Sequence, residues 1–531
     1  MTPKHPSPPA RPIAEALPHA PARLAPETRL RLLRALAFLP ALAFLLMVLT
    51  PPLNHDVAAI LNFAERWVAG ESLFRELIDV NPPLIFVLTA IPAAIGRFTP
   101  LDIVTAWLLC VLCLCALSWW MCLRLREAEE GPVERAVLDA LIPLVLVMVA
   151  YDVGQREHLM ALFALPYALL ASRRAQGLAT PRGLAVGVTI AAALGFALKP
   201  HFLAIPALVE LLVLLHRGLA ATLRDRLPWL MAGIWLLYLA SLPLVFPDYL
   251  GFVVPLVMDF YLGNGGIGLW DVLFTDRMGA ATLALLAAMA LLLWPGAGVP
   301  ARMLAAAGLG GMLSAWVQHK GWSYHVVPMA MATALLAGWV IARWFDRALA
   351  PSRAVAAAPM LAIGMVVALA AVHVRGESPW RQIWYGVLAE GQLSATLKRE
   401  VAGERLLVLS PDIYPVYPAL NYARARSTLR TMNLWLLIGA YPDCPEGAPR
   451  YREPWEMSRP EFLVYRTVAE DFARAPPGAV LVAKNSGIPR CGAEDFDPIA
   501  YFSRHPAFAE TWRHYTRVVH MNTYLLYVRE D

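Results

Sequence analysis

Charged and histidine side chains in this 531-residue chain collect in four short polar segments between long apolar runs. The first segment begins at Asn54-His55-Asp56, and the second covers residues 151–158. The third is Lys199-Pro200-His201, and the fourth covers residues 318–325. Carboxylates can take a proton from a hydroxyl group, whereas lysine, arginine and histidine can offset the charge of a phosphate. These segments are therefore the candidates for chemistry.

The acidic residue Asp56 has two interpretations. It begins an amphipathic stretch, suited to a helix on the membrane surface, whose apolar residues fall on one face: Val57, Ile60, Leu61, Ala64, Trp67 and Val68. An acid at such a start caps the helix or stabilises its dipole. The alternative is a general base at the mouth of the first apolar run. Position alone favours the structural role.

The second segment holds four ionisable residues where a link between helices needs only a turn: Asp152, Arg156, Glu157 and His158. An ion pair between Arg156 and Glu157 would explain two of them without any function. Ionisable groups near membrane depth are nevertheless costly and usually functional. The density of charge therefore predicts a functional site.

The third and fourth segments add cations and imidazoles. Lys199 could simply extend its side chain to a lipid headgroup. The functional interpretation is that it binds an anionic substrate. His201 follows it two residues later. In the fourth segment, the aromatic residues alone are ordinary for a membrane interface. Together its residues suggest a phosphate cradle made of His319, Lys320, Tyr324 and His325.

The elements that must position these residues are membrane helices. Hydrophobic residues make up 58% of the chain and charged residues 16%, against about 45–50% and about 25% in an ordinary soluble domain. This composition excludes a soluble enzyme of normal type, a disordered protein and a nucleic-acid-binding protein. The apolar runs predict about eleven transmembrane helices, provided that residues 82–98 lie at the interface. That arrangement puts all basic loops on one side of the membrane.

We expect three regions in the chain. Residues 1–32 form a disordered basic tail, 33–373 a transmembrane module, and 374–531 a small α/β domain. In the last region, strand patterns at 405–410, 478–484 and 521–528 alternate with helical patterns at 382–401 and 462–475. The predicted fold class is an α-helical polytopic membrane protein with a C-terminal α/β domain.

The positive-inside rule also predicts which side each part faces. We expect a bacterial inner-membrane protein whose N-terminus is cytoplasmic and whose C-terminal domain is periplasmic. The periplasm is oxidising, so Cys444 and Cys491 in that domain are expected to form a disulfide.

The layout resembles that of the GT-C glycosyltransferases. The resemblance rests on an acid that begins a long first outer loop with interfacial helices, on Gly70-Glu-Ser-Leu-Phe-Arg-Glu followed by Asn81-Pro-Pro-Leu, and on a second acidic loop. It covers about the first 375 residues and is closest to relatives of the protein O-mannosyltransferases and the aminoarabinose transferases of lipid A. It implies a multi-span helical module that takes a sugar from a polyprenyl-phosphate carrier.

The resemblance also implies roles for individual residues. Asp56 matches the first-loop acid, which is the usual catalytic base, and Asp152 and Glu157 lie where the second-loop acid is found. Lys199 matches a cation that faces the carrier phosphate. The chain departs from the family at Val57, where a second acid is common.

These roles imply a mechanism in which Asp56 takes the proton of an acceptor hydroxyl as it attacks the anomeric carbon. The negative charge of the leaving phosphate is offset by the residues expected to bind it: Arg156, His158, Lys199, His201, His319, Lys320, Tyr324 and His325. A divalent metal on the three acids is conceivable, but the nearest relatives need none, so no metal and no cofactor are expected. The expected partners are the lipid-linked donor, a lipid, glycan or protein acceptor, and membrane lipids, without nucleic acid.

Two other classes of function fit parts of the sequence. A transporter or flippase of lipid-linked sugars would require polar residues along the whole path through the membrane. Within the predicted spans, however, the charged residues are only Asp139 and Glu210. A non-catalytic membrane scaffold would leave the four polar segments unexplained. The identity of the sugar, the acceptor and the stereochemistry stay open at the level of sequence.

Overall fold

The computed structural model describes residues 26–530 except 128, 261–265, 375–379, 446 and 492–493. Its first part is a helical bundle, and its last part is a five-stranded sheet flanked by helices. The predicted fold class is therefore confirmed.

The bundle contains sixteen helices among the described residues. In the first half these are α1 (Pro26–Leu36), α2 (Leu39–Val48), α3 (His55–Val68), α4 (Pro83–Phe98), α5 (Ile103–Leu125), α6 (Pro132–Val147), α7 (Arg156–Ala175) and α8 (Arg182–Phe196). In the second half they are α9 (Ala204–Arg217), α10 (Leu219–Leu223), α11 (Arg226–Val245), α12 (Val254–Phe260), α13 (Asp276–Ala290), α14 (Gly298–Gln318), α15 (Val327–Ala348) and α16 (Pro351–Val374).

Each of the eleven apolar runs that we expected to span the membrane carries a helix. Within the described residues, seven helical segments are long and apolar enough to cross a membrane: Glu27–Val48, Ile103–Leu125, Pro200–Arg217, Arg226–Val245, Asp276–Leu293, Ser323–Ala348 and Pro351–Val374. Of the other four, α6, α7 and α14 are buried along most of their length, and α8 is short. The apolar composition thus reflects both lipid-facing and interior helices.

Helix α4 does not cross the bundle. The segment before it meets the C-terminal domain where the Leu53 amide donates to the Tyr422 hydroxyl at 2.7 Å. The segment after it meets the same domain, because Asp102 and Ile103 line a cleft with Gly403. Both ends of the stretch that contains α4 therefore lie on one side, which agrees with the interfacial position expected for residues 82–98. We call this side the domain end of the bundle.

Basic residues at the opposite end are paired with acids. Arg126 Nη1 lies 2.5 Å from Asp139 Oδ1, and Arg174 Nη1 lies 2.6 Å from Glu210 Oε1. Arg343 joins this end through two further glutamates. The basic loops that the positive-inside rule placed on one side of the membrane thus lie at one end of the bundle. The charges of Asp139 and Glu210, the two acids within the spans, are neutralised there.

The tail prediction is wrong for residues 26–32, which belong to α1. Leu30, Leu33 and Leu36 recur at three-residue spacing, so they share one helical face, and α1 packs against α16. The proline- and alanine-rich composition of the preceding stretch obscured this pattern. Residues 1–25 lie outside the described part of the chain.

The C-terminal part contains α17 (Trp380–Trp384), α18 (Ala389–Glu400), β1 (Arg405–Leu409), α19 (Val416–Ala423), β2 (Arg426–Ser427), α20 (Trp435–Ala440), α21 (Arg459–Arg474), β3 (Ala479–Ala483), α22 (Pro498–Ser503), α23 (Pro506–Trp512), β4 (Arg517–His520) and β5 (Tyr524–Val528). The strand order is β2-β1-β3-β5-β4. β1 is parallel to β2 and β3, whereas β5 is antiparallel to β3 and β4. The three predicted strands are confirmed as β1, β3 and β5.

Helix α3 is held between α4 and the C-terminal domain. Asn62 Nδ2 donates to the Ala425 carbonyl at 3.2 Å, and Asn421 Nδ2 donates back to the Ala58 carbonyl at 3.0 Å. Arg66 Nη1 donates to the Leu429 carbonyl at 2.8 Å. The predicted amphipathic helix is present, but its polar face is covered by protein as well. The C-terminal domain is therefore fixed to the helix that carries Asp56.

The Arg66 guanidinium is buried and also pairs with Glu71, at 2.6 Å. We expect Arg66→Met to lower stability by about 1–3 kcal/mol, because two acceptors lose a charged donor. Arg75→Met is the matched control, since the Arg75–Asp248 pair is largely exposed and is worth under about 1 kcal/mol. Thermal melting of the purified protein checks this, and equal shifts for the two variants would contradict the proposed docking.

Cys444 and Cys491 form a disulfide within the C-terminal domain. In a background whose four α5 cysteines are replaced by alanine, we expect the native protein to resist a maleimide reagent until it is reduced. Cys444→Ser should leave Cys491 reactive without reduction. Labelling of both residues in unreduced native protein would contradict the pairing.

Candidate active site

Asn54, and not Asp56, caps helix α3. The Asn54 side-chain oxygen accepts hydrogen bonds from the backbone amides of Asp56 at 3.0 Å and Val57 at 3.4 Å. An asparagine at this position satisfies the first free amides of a helix. The Asp56 carboxylate is thereby available for other contacts.

The Asp56 carboxylate is largely buried among polar partners. Gln155 Nε2 donates to Asp56 Oδ2 at 3.1 Å, Arg156 Nη2 lies 3.5 Å from the same oxygen, and His55 Nε2 lies 3.6 Å from the other. Burial raises the pKa of Asp56, but His55 in its protonated form, the charge of Arg156 and the hydrogen bond from Gln155 lower it and outweigh the effect of burial. The pKa therefore lies below its ordinary value, and the carboxylate is ionised at neutral pH.

Arg156 connects Asp56 to a second acid that sequence reasoning missed. Its Nη1 donates to Asn81 Oδ1, and its Nη2 donates to Gln155 Oε1 at 3.3 Å. Asn81 Nδ2 in turn donates to Asp79 Oδ1 at 2.7 Å. Burial raises the pKa of Asp79. In the sequence, Asn81-Pro-Pro serves only as part of the family resemblance, although an acid two residues before it is the available signal.

Glu157 and Lys199 form a buried ion pair beside this network. Lys199 Nζ lies 2.6 Å from Glu157 Oε1 and donates to Gln318 Oε1 at 3.3 Å. It also lies 5.5 Å from the centre of the Tyr324 ring. Burial lowers the pKa of Lys199 to about 8, although Glu157 acts in the opposite direction. Glu157 thus holds the Lys199 ammonium group next to this network.

Two histidines next to this pair have unused nitrogen atoms. Both ring nitrogens of the buried His325, and Nε2 of His201, have no hydrogen-bond partner among the described residues. The His325 ring packs edge-on against Tyr324. The imidazoles of His201 and His325 both interact electrostatically with Lys199. Buried polar atoms usually have partners, so these nitrogens point to a ligand.

Three other predicted residues are engaged elsewhere. His158 accepts a hydrogen bond from the Gly154 amide at its Nδ1, and its Nε2 lies 2.9 Å from the Leu146 carbonyl. His319 Nδ1 lies 2.7 Å from the Ile267 carbonyl, and Lys320 Nζ lies over the Trp322 ring. Each of the three side chains is held by these other contacts, so we leave them out of the proposed mechanism.

A cavity of about 570 Å³ lies between the bundle and the C-terminal domain. Its size is typical of a small-molecule site. The bundle supplies His55, Asp56, Asp79, Asn81, Arg156, Arg277, Trp322 and Tyr324, and the domain supplies Asp412, Tyr414, Asn433 and Trp435. Arg277 lies outside the four polar segments and is therefore not among the residues predicted from the sequence. A lone arginine at the start of α13 was the signal.

The domain side of the cavity is held by a stacked cation. The Arg381 guanidinium lies 5.0 Å from the Tyr151 ring centre and 4.9 Å from the Tyr414 ring centre. Tyr151 also contacts His55, whose Nδ1 lies 2.9 Å from the Tyr151 hydroxyl. Such cation–π contacts are worth about 0.5–2 kcal/mol each. They connect the C-terminal domain to the residue next to Asp56.

Asp152 lies behind the cavity wall. Its Oδ1 accepts hydrogen bonds from Asn54 Nδ2 at 3.2 Å and from the Ser323 hydroxyl at 3.3 Å. Burial raises its pKa to about 7. Asp152 thus braces the residue that caps α3 and changes protonation near neutral pH.

The acids do not gather around one point. Asp56 faces Arg156, Glu157 faces Lys199, and Asp152 faces Asn54. In the described ranges, no group of three or more His, Cys, Asp or Glu residues is arranged to hold a metal ion. We derive no step through a metal.

Comparison with known proteins bears on the fold. No family model matches the chain, and no curated protein matches it in sequence. The crystal structure of ArnT from Cupriavidus metallidurans bound to undecaprenyl phosphate matches it with a TM-score of 0.54 and 12% identity, over 95% of this chain and 98% of that one. The chain has the fold of ArnT. ArnT is a GT-C protein, a lipid A aminoarabinose transferase, so the resemblance stated from sequence is confirmed as a resemblance of fold.

The raised pKa of Asp152 predicts a pH dependence of stability. Folded Asp152 holds its proton up to about pH 7, whereas an unfolded aspartate loses it near about pH 4. The proton therefore stabilises the folded state below about pH 4, and this contribution is lost as the pH rises to about 7. We expect the melting temperature of Asp152→Asn, relative to wild type, to increase between pH 5 and pH 8. The exposed control Asp271→Asn should show a constant difference, and a constant difference for Asp152→Asn would refute the shift.

Proposed function

We propose that the protein is a membrane glycosyltransferase that moves a sugar from a polyprenyl-phosphate carrier to a hydroxyl acceptor. One observation carries this proposal: the Asp56 carboxylate lies at the wall of the cavity between the bundle and the C-terminal domain, 3.5 Å from the Arg156 guanidinium. The class of donor is supported by the fold, since the protein with the same fold was crystallised with undecaprenyl phosphate.

Asp56 is the general base in this proposal. It is ionised before substrate arrives, so it can accept the hydroxyl proton without first losing its own. The hydroxyl oxygen attacks the anomeric carbon, the bond from that carbon to the phosphate oxygen breaks, and the carrier phosphate leaves. General-base assistance of this kind is typically worth about 10²–10⁴ in rate.

Cations around the cavity would stabilise the departing phosphate. Arg156 has a buried Nε without a partner among the described residues, and Arg277 lines the same cavity. Lys199 is held by Glu157 deeper in the site, next to the free nitrogens of His201 and His325. Preorganised donors aimed at developing charge are often the largest contribution to catalysis.

The C-terminal domain would receive the acceptor. Trp435, Tyr414 and Asp412 line its side of the cavity and offer two aromatic faces and a carboxylate. Such a surface suits a molecule that carries hydroxyl groups. The acceptor class is therefore a hydroxyl on a lipid, a glycan or a protein.

The pairing of the intramembrane acids argues against a transporter. Asp139 and Glu210 are occupied by Arg126 and Arg174 at the opposite end of the bundle. The charged residues of the site instead collect at the domain end, as an enzyme that works on one face of the membrane requires. A pure scaffold would not need buried ion pairs at the edge of a cavity.

The disulfide supports the expected orientation. Disulfides persist in oxidising compartments such as the bacterial periplasm, and Cys444 pairs with Cys491 in the C-terminal domain. We therefore propose that the domain end faces the periplasm of a bacterial inner membrane and that the N-terminus is cytoplasmic.

Transfer from radiolabelled polyprenyl-phosphate sugars tests this function. With purified protein, we expect Asp56→Asn to lower kcat for transfer, or for hydrolysis of the donor, by about 10²–10⁴ because the base is lost. Binding of the donor should change little. Asp271→Asn, in an exposed turn before α13, is the control and should retain activity. Unchanged turnover in Asp56→Asn would remove Asp56 as the base.

A further inference from the structure

A second cleft lies at the domain end, apart from the candidate active site. It runs between the turn that joins α4 to α5 and the C-terminal domain, and it has a volume of about 590 Å³. A neighbouring cavity of the same size continues it and shares Asp102, Asn421 and Arg424 with it. Glu65 on its wall is nine residues from Asp56 along α3, a distance of roughly 13 Å. The two sites therefore use opposite ends of one helix.

Positive charge predominates in this second cleft. Its walls carry Arg97, Lys398, Arg424 and Arg426, against the two carboxylates of Glu65 and Asp102. Such clusters of forked guanidinium groups are suited to phosphate.

The two carboxylates interact with Arg424 and Arg426 and offset only part of the positive charge, because four cations face two acids. The Asp102 carboxylate caps α5, because it accepts hydrogen bonds from the Thr105 amide at 3.0 Å and the Thr105 hydroxyl at 2.6 Å. Glu65 lies 3.9 Å from Arg426, and burial raises the pKa of Glu65. One ion pair is therefore long, and the other acid serves as a helix cap.

Arg424 and Arg97 have spare bonding capacity. The Arg424 guanidinium makes no hydrogen bond or ion pair within the described part of the chain, and it is exposed in the cleft. Arg97 donates only to the Val68 carbonyl, at 2.9 Å, so no carboxylate within hydrogen-bonding distance offsets its charge. Both arginines can therefore donate hydrogen bonds to a phosphate in the cleft.

Apolar residues border the cleft where α5 begins. Phe98 is 76% exposed and Leu101 is 39% exposed, and the outer face of α5 continues with exposed Leu109 and Leu117. α5 is one of the helices long and apolar enough to cross a membrane. The cationic cleft therefore opens beside a lipid-facing surface, at the level where headgroups lie.

We propose that this cleft binds the phosphate headgroup of an anionic membrane lipid, with Arg424 and Arg426 as the principal donors. The acyl chains would lie along Phe98, Leu101 and the exposed face of α5. Binding of this lipid does not require the sugar-transfer activity proposed above.

Thermal shift of the full-length protein in detergent tests the site. The probes are a short-chain phosphatidylglycerol, a phosphatidylcholine with the same chains, and glycerol phosphate as a soluble source of the same phosphate chemistry. We expect phosphatidylglycerol to raise the melting temperature most. The double variant Arg424→Ala/Arg426→Ala should weaken its apparent Kd at least about tenfold, because charged hydrogen bonds are lost.

Two variants serve as controls. Arg513→Ala removes an exposed arginine of the same domain outside the cleft and should bind as wild type. Arg424→Lys keeps the charge and should retain part of the affinity. An unchanged Kd in the double variant, or equal weakening by Arg513→Ala, would overturn the site. Equal stabilisation by glycerol phosphate would overturn the assignment to a lipid and indicate a soluble phosphate ester.

Asp56→Asn separates the two proposals. It should lower kcat for transfer by about 10²–10⁴ and leave the response to phosphatidylglycerol intact, because Asp56 lies at the other end of α3. Loss of the lipid response in Asp56→Asn would contradict a separate site. Failure to observe transfer with wild-type protein would not alter the lipid measurement.

Discussion

A buried guanidinium dictates the arrangement of the candidate active site. Moving the charge of Arg156 out of water costs several kcal/mol, and only paired charges and hydrogen bonds can offset that cost. Asp56, Asn81 and Gln155 supply them from three separate segments of the chain. The start of α3, the turn before α4 and the start of α7 therefore have to meet at one point. The same arrangement keeps Asp56 ionised.

The C-terminal domain depends on this arrangement through α3. The reciprocal hydrogen bonds of Asn62 and Asn421 fix α19 and its neighbours to the helix that begins with the Asp56 segment. Arg381 then places its cation between Tyr151 and Tyr414, on the domain side of the cavity. The cavity thus exists only where the bundle and the domain meet. A domain that merely followed the membrane module in sequence would not produce it.

Sequence patterns predicted the helices and the central strands because long apolar runs and alternating strands are local signals. They also made Asp56, Glu157 and Lys199 candidates, since charge beside a membrane helix is conspicuous. The partners that decide each role were not predictable, because Asn81 and Arg277 come from distant segments whose composition is ordinary. Likewise, nothing in the spacing of His158 shows that both of its nitrogens bond to backbone groups.

The cleft at the far end of α3 was missed for a similar reason. Arg97 is separated by about three hundred residues from Arg424 and Arg426 in the sequence, and each looks like an ordinary surface arginine on its own. Their common location depends on the docking of the C-terminal domain against the α4–α5 turn. Both sites are therefore products of the same domain interface.

A structure of the protein determined with undecaprenyl phosphate would test the central claim most directly. We predict that the phosphate lies in the cavity beside Asp56, within hydrogen-bonding distance of at least one of Arg156, Lys199 and Arg277. A phosphate bound only in the Arg424 cleft, with the cavity beside Asp56 closed to it, would contradict the proposed role of Asp56 in sugar transfer.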